Sequence, residues 1–121
     1  MNKIAFIFSK SPYGNSVGKE GLDALISISS LTEDIALFFI GDGILQILKK
    51  QKTEKFLLKN YSISFGILKL CNINNYFICS KSLEILGIKN YKKKHWILPV
   101  QIINPLMWQK KISNYNIILN F

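Results

Sequence analysis

The 121-residue chain is 49% hydrophobic, which excludes an intrinsically disordered segment, because such segments hold too few large apolar groups to bury a core. Its net charge of +9 comes from 16 basic residues, all of them lysine. The arginine forks that dominate specific phosphate and base recognition are therefore absent, and a nucleic-acid reader is disfavoured. No apolar run reaches the roughly 18 residues of a membrane helix, and the opening MNKIAFIFSK has neither the length nor the cleavage site of a signal peptide. One soluble cytoplasmic domain over residues 1–121 is the expectation.

Residues 3–9 (KIAFIFS) form an unbroken apolar run rich in β-branched and aromatic side chains, and loop residues follow at once. Such a run reads as an interior strand of a parallel sheet, buried on both faces. From about Gly18 the period changes to that of a helix, with Leu22, Leu25, Ile26 and Ser29 on one side. Residues 35–40 (IALFFI) predict a second buried strand, stopped by Gly41–Asp42–Gly43. Between 44 and 71 the pattern is helical but broken, in ILQILKK, TEKFLLKN with Thr53 as a cap, and YSISFGILKLCN. Cys71 falls on the core side of that pattern. Residues 76–79 (YFIC) predict a third strand, and a helix over about 82–86 follows, closed by Gly87.

HWILPVQII predicts a fourth strand, bent or at an edge because Pro99 cannot donate to a ladder. Asn104 and Pro105 suit the start of a last helix, and YNIILNF predicts a fifth strand. Strand and helix alternate throughout. The fold class predicted is α/β, a single domain with a mostly parallel five-stranded sheet and helices on both faces.

Ligands and reacting groups in such sheets gather at the carboxyl ends of the strands, near the switch in strand order. Three segments are predicted there: the loop at 9–21, the turn at 41–43, and residues 79–82. Cys79 ends its strand just before a helix, where the helix dipole and Lys81 would favour a thiolate. An unreactive cysteine packed at the end of a strand is the alternative. Cys71 and Cys79 are expected to be free thiols rather than a disulfide.

Gly14, Gly18 and Gly21 do not have the spacing of a dinucleotide fingerprint, and no P-loop is present. Asp42 sits in a turn that needs no function. His95 is the single histidine, without a second ligand at zinc-like spacing, so neither a metal nor a cofactor is predicted. The lysine run at 91–96 (YKKKHW) offers a surface for phosphate or an acidic partner.

The long motifs are more specific. Phe8–Gly14 fits F-S-x-x-P-x-G, Gly18–Leu25 reads G-K-E-G-L-D-A-L, Ser29–Asp34 fits S-x-L-T-x-D, and Ala36–Ile40 and Asp42–Gly43 supply an F-F-I strand and a D-G turn. CSKSLEILGI and the closing NYNIILNF complete the pattern. From end to end the chain resembles the TusC (DsrF) family of sulfur-relay subunits in the DsrE-like superfamily; it departs from the family mainly in the middle and over the lysine- and asparagine-rich 90–111.

That resemblance implies a cytoplasmic subunit of a TusBCD-type assembly. TusB-like and TusD-like sisters would complete a heterotrimer that pairs into a hexamer. The assembly would take persulfide sulfur from a TusA-like donor and pass it to a TusE-like acceptor, for 2-thiolation of the wobble uridine in tRNA. In the family the sulfur-carrying cysteine belongs to the TusD-type sister, at the end of the corresponding strand. Cys79 occupies the matching place and is the candidate sulfur-handling residue.

Three expectations follow, in this order: a non-catalytic or weakly catalytic subunit of a sulfurtransferase complex, a sulfurtransferase in its own right with Cys79 as persulfide carrier, and a lysine-rich RNA-binding module. Direct contact with tRNA is disfavoured, and no membrane partner is expected. Phe65, Trp96 and Trp108 are candidate interface anchors, with burial in the core as the alternative.

Overall fold

The computed structural model describes residues 3–11, 16–31, 34–48, 73–88, 92 and 95–121. The helical patterns expected between 49 and 71, with Cys71 and Phe65, lie outside the described residues, as does most of the lysine run at 91–96.

Five strands, β1 (Ile4–Phe8), β2 (Ile35–Phe39), β3 (Asn75–Cys79), β4 (Gln101–Ile103) and β5 (Ile117–Asn120), form one sheet in the order β4-β3-β2-β1-β5. Every pairing is parallel. The helices are α1 (Val17–Ser29), α2 (Ser80–Ile85) and α3 (Pro105–Ile112), and a 3₁₀ helix spans Gly41–Gln46. The chain steps in one direction from β1 to β4 and then returns across the sheet to place β5 beside β1. Parallel crossovers are right-handed, so the forward steps lay their helices on one face and the return step lays α3 on the other. The switch in strand order therefore falls between β1 and β5.

Strand alternation divides the side chains between the two faces. On the first, Phe6 and Phe8 of β1, Leu37 and Phe39 of β2, and Tyr76 and Ile78 of β3 pack against α1, α2 and the 3₁₀ helix. On the second, Ala5, Ala36, Phe38 and Phe77 meet Trp108 and Ile112 of α3 and the following Tyr115. Both faces of β1 and β2 are thus apolar, which is why IAFIF and IALFF show no alternation with polar residues.

The buried stripe of α1 is Gly18, Gly21, Leu22 and Leu25, spaced at three and four residues. Gly21 lets the helix come down onto the sheet, because a Cβ there would lie 2.6 Å from Phe121 Cγ and 2.7 Å from the Phe8 ring. Ile26, expected on the buried side, lies one position past this stripe and is 40% exposed. The fourth strand is shorter than expected. Only Gln101–Ile103 pairs with β3, while Trp96 makes an isolated antiparallel bridge to Leu48 on the other side of Pro99. Trp96 is 4% exposed and part of the first-face core, so of the two roles open to it, interface anchor or core, it takes the core. Trp108 is half-buried and meets Phe38 edge-on, with ring centroids 5.1 Å apart.

The last helix begins as its sequence predicts. Asn104 Oδ1 accepts from the Met107 N–H at 2.8 Å, and Pro105 takes the first helical position, where no N–H is needed. Asn104→Ala is expected to cost about 1 kcal/mol of stability, measured by chemical denaturation, since it leaves that N–H without its cap.

Candidate functional site at the carboxyl edge of the sheet

The three segments predicted at the carboxyl ends of the strands do adjoin there. β1 and β2 end side by side, with the Ile40 N–H donating to Phe8 O at 3.1 Å. Gly41 then turns the chain with a positive φ of 56°, and its N–H donates to Ser82 Oγ at 2.9 Å. That bond ties the Gly-Asp-Gly turn to α2. Gln46, fully buried at the end of the 3₁₀ helix, donates from Nε2 to Lys10 O at 2.9 Å and so holds the loop after β1. Residues 12–15 of that loop lie outside the described residues.

Sequence reasoning did not single out Gln46. The signal was one amide inside the apolar stretch ILQIL, where a buried polar side chain requires a partner. Its Oε1 has none.

Cys79 is the last residue of β3 and the N-cap of α2, with φ −76° and ψ 121°. It carries no disulfide and is 5% exposed. Alternation with Phe77 puts its side chain on the α3 face of the sheet, and its neighbour across the ladder is Ile103 of β4. α2 itself packs on the opposite face through Leu83. The thiol makes no capping bond to the helix. Lys81, expected to support a thiolate, points its ammonium to Glu84 at 3.8 Å, and both side chains are largely exposed.

Cys79 also lies off the switch point. β2 separates β3 from β1, and the β1–β5 junction is closed by the Ser9 N–H donating to Phe121 O at 2.8 Å. The thiol therefore stands at the carboxyl edge but two strands from the crevice that the topology opens.

The remaining candidates are local. Asp42 is exposed in its turn. His95 Nδ1 accepts from the Lys92 N–H at 2.9 Å, which fixes the shape of its own loop. Among the described residues no group of His, Cys, Asp or Glu could hold a metal ion, and no helix is long and apolar enough to cross a membrane.

The fold and site define a class: an open, all-parallel α/β domain with a buried thiol at the carboxyl end of an inner strand. Within that class the chain belongs to the DsrE/DsrF-like family, whose model matches residues 2–121. It is 46% identical over 121 residues to Protein TusC of Buchnera aphidicola subsp. Schizaphis graminum, covering 100% of both chains. Protein TusC of the Baizongia pistaciae subspecies is also 46% identical, and that of the Acyrthosiphon pisum subspecies 44%, each with 100% coverage of both chains. The crystal structure of the E. coli YchN protein superposes with a TM-score of 0.78 over 100% of both chains, at 22% identity, and shows the shared fold.

Proposed function

We propose that the chain is a subunit of a sulfur-relay complex of the TusBCD type, one that serves 2-thiolation of the wobble uridine in tRNA. The observation that carries this reading is identity of 44–46% to TusC proteins over the full length of both partners. TusB-like and TusD-like sisters are the proposed partners, in a heterotrimer that pairs into a hexamer in the cytoplasm. Sulfur enters from a TusA-like donor and leaves to a TusE-like acceptor. The chain's own part is to complete the complex that shelters the relay.

The placement of Cys79 favours a second reading, in which this chain also carries sulfur. The thiolate of Cys79 would attack the outer sulfur of a donor persulfide, R–S–SH. A new S–S bond forms at Cys79 as the donor's S–S bond breaks. The donor leaves as R–S⁻, and Cys79 holds the persulfide without any external oxidant. A side chain as buried as Cys79 needs an opening toward the donor, and a neighbouring subunit is where that opening would be regulated.

Co-expression with the TusB-like and TusD-like chains of the same organism tests the reading. The chain should copurify with both in fixed proportion. A stable monomer indifferent to both would contradict it.

A further inference from the structure

The two faces of the sheet are unequally covered. The first carries α1, α2 and the 3₁₀ helix; among the described residues the second carries α3, an eight-residue helix with no fully buried side chain. Trp108 and Ile112 turn inward, whereas Leu106 is 63% exposed and Met107 37% exposed in the first turn. On the same face Ile118 of β5 is 45% exposed. Leu31 and Ile85 are exposed too, at 82% and 75%, but they belong to the α1 and α2 side. Ile85 follows the Lys81–Glu84 ion pair, with both signs of charge beside it, and Leu31 lies three residues before Asp34, next to a carboxylate.

The charged side chains of α3 and its flanking segments have one sign. Residues 95–121 contain Lys110, Lys111 and His95 but no Asp or Glu. Lys111 lays its ammonium 5.6 Å from the centroid of the Phe77 ring, so one of these cations is held against the layer. At the far end of this layer, burial and, after it, the Asp34 carboxylate raise the Tyr115 phenol above its ordinary pKa. A second copy docked here by a two-fold axis would bring the same lysines against each other. An apolar surface rimmed by carboxylates has the complementary chemistry.

We infer that the outer surface of α3, centred on Leu106 and Met107 with Lys110 and Lys111 at its rim, docks a partner chain of different sequence that presents an apolar patch bordered by Asp and Glu. The inference rests on the reading of the chain as a subunit of a complex. It adds which surface meets a sister. The position has a consequence for the thiol: Cys79 pairs with Ile103 in the ladder, and Leu106 follows three residues later, so the docked partner borders the edge of the sheet that holds Cys79.

The test uses the chain co-expressed with its two sister subunits and compares L106S/M107S, K110E/K111E and the control pair L31S and I85S. Circular dichroism verifies that each is folded; the lysine variant, which alters only partly or fully exposed charges, keeps the test open should the double serine variant fail to fold. Both α3 variants are expected to weaken binding of a sister by about tenfold or more, with the controls unchanged. Binding by the wild-type chain should also weaken as salt rises.

A complex that forms equally well with both α3 variants would overturn this surface while leaving the relay reading intact. Concentration-dependent self-association of the isolated chain, abolished by L106S/M107S, would overturn it in favour of a second copy. Failure of the wild-type chain to bind either sister would overturn both.

Discussion

Phe38→Ala is expected to lower the stability of the fold by about 3–5 kcal/mol, the range for truncating a buried phenylalanine. The ring is fully buried at the centre of the second face. It lies 5.0 Å from Phe77, 5.1 Å from Trp108 and 5.8 Å from Tyr115 between ring centroids, the last two edge-on. Its buried strand neighbours on that face include Ala5 and Ala36, which are too small to close over the space left behind. The loss therefore combines transfer of the ring with an unfilled cavity, and it loosens the seat of α3. Urea denaturation should show a large fall in midpoint with the slope preserved. A change under about 1 kcal/mol would mean that α3 does not pack on Phe38 as described.

Gly43→Ala is the second large effect, and it arises from contact rather than backbone conformation. A Cβ at Gly43 would lie 1.8 Å from Phe8 O and 2.4 Å from Phe8 C, atoms of the main chain at the end of β1. Side chains can rotate away from such contacts, but a strand backbone paired on both sides cannot. The expected cost is about 3 kcal/mol, at the upper end for overpacking. Gly41→Ala provides the contrast. There φ is +56° and the nearest neighbour of a Cβ would be Ser9 O at 3.9 Å, so the cost is left-handed strain of about 1–2 kcal/mol. Equal costs at the two positions would refute the close approach of the turn to β1.

Strands buried on both faces announce themselves by continuous apolar runs, so β1, β2 and β3 were legible within a residue or so of their ends. The start of α3 was legible because Asn104 and Pro105 carry local signals that need no tertiary context. Trp96 stays open in sequence between interface anchor and core, because His95 and Lys94 mark a surface while its bridge partner Leu48 is far away in the chain. Ile26 was misread because Gly18 and Gly21, not a second apolar residue, complete the buried stripe of α1. Only the structure could show that contact.

At the candidate site, Cys79 at a strand end was readable from the order of YFIC and the helix after it. Its distance from the switch point was not, because strand order depends on where β5 inserts. The direction of Lys81 toward Glu84 was equally out of reach, being a choice among rotamers on a surface helix.

The most direct test of the account is intact mass of every subunit in the copurified complex after exposure to a persulfide donor, with and without this chain. The complete complex is expected to gain sulfur, and uptake to fall when this chain is left out. Added sulfur on this chain that disappears in Cys79→Ser would make it a carrier, and sulfur confined to a sister would make it the scaffold of the relay. Equal loading of the sisters whether or not this chain is present would exclude it from the relay.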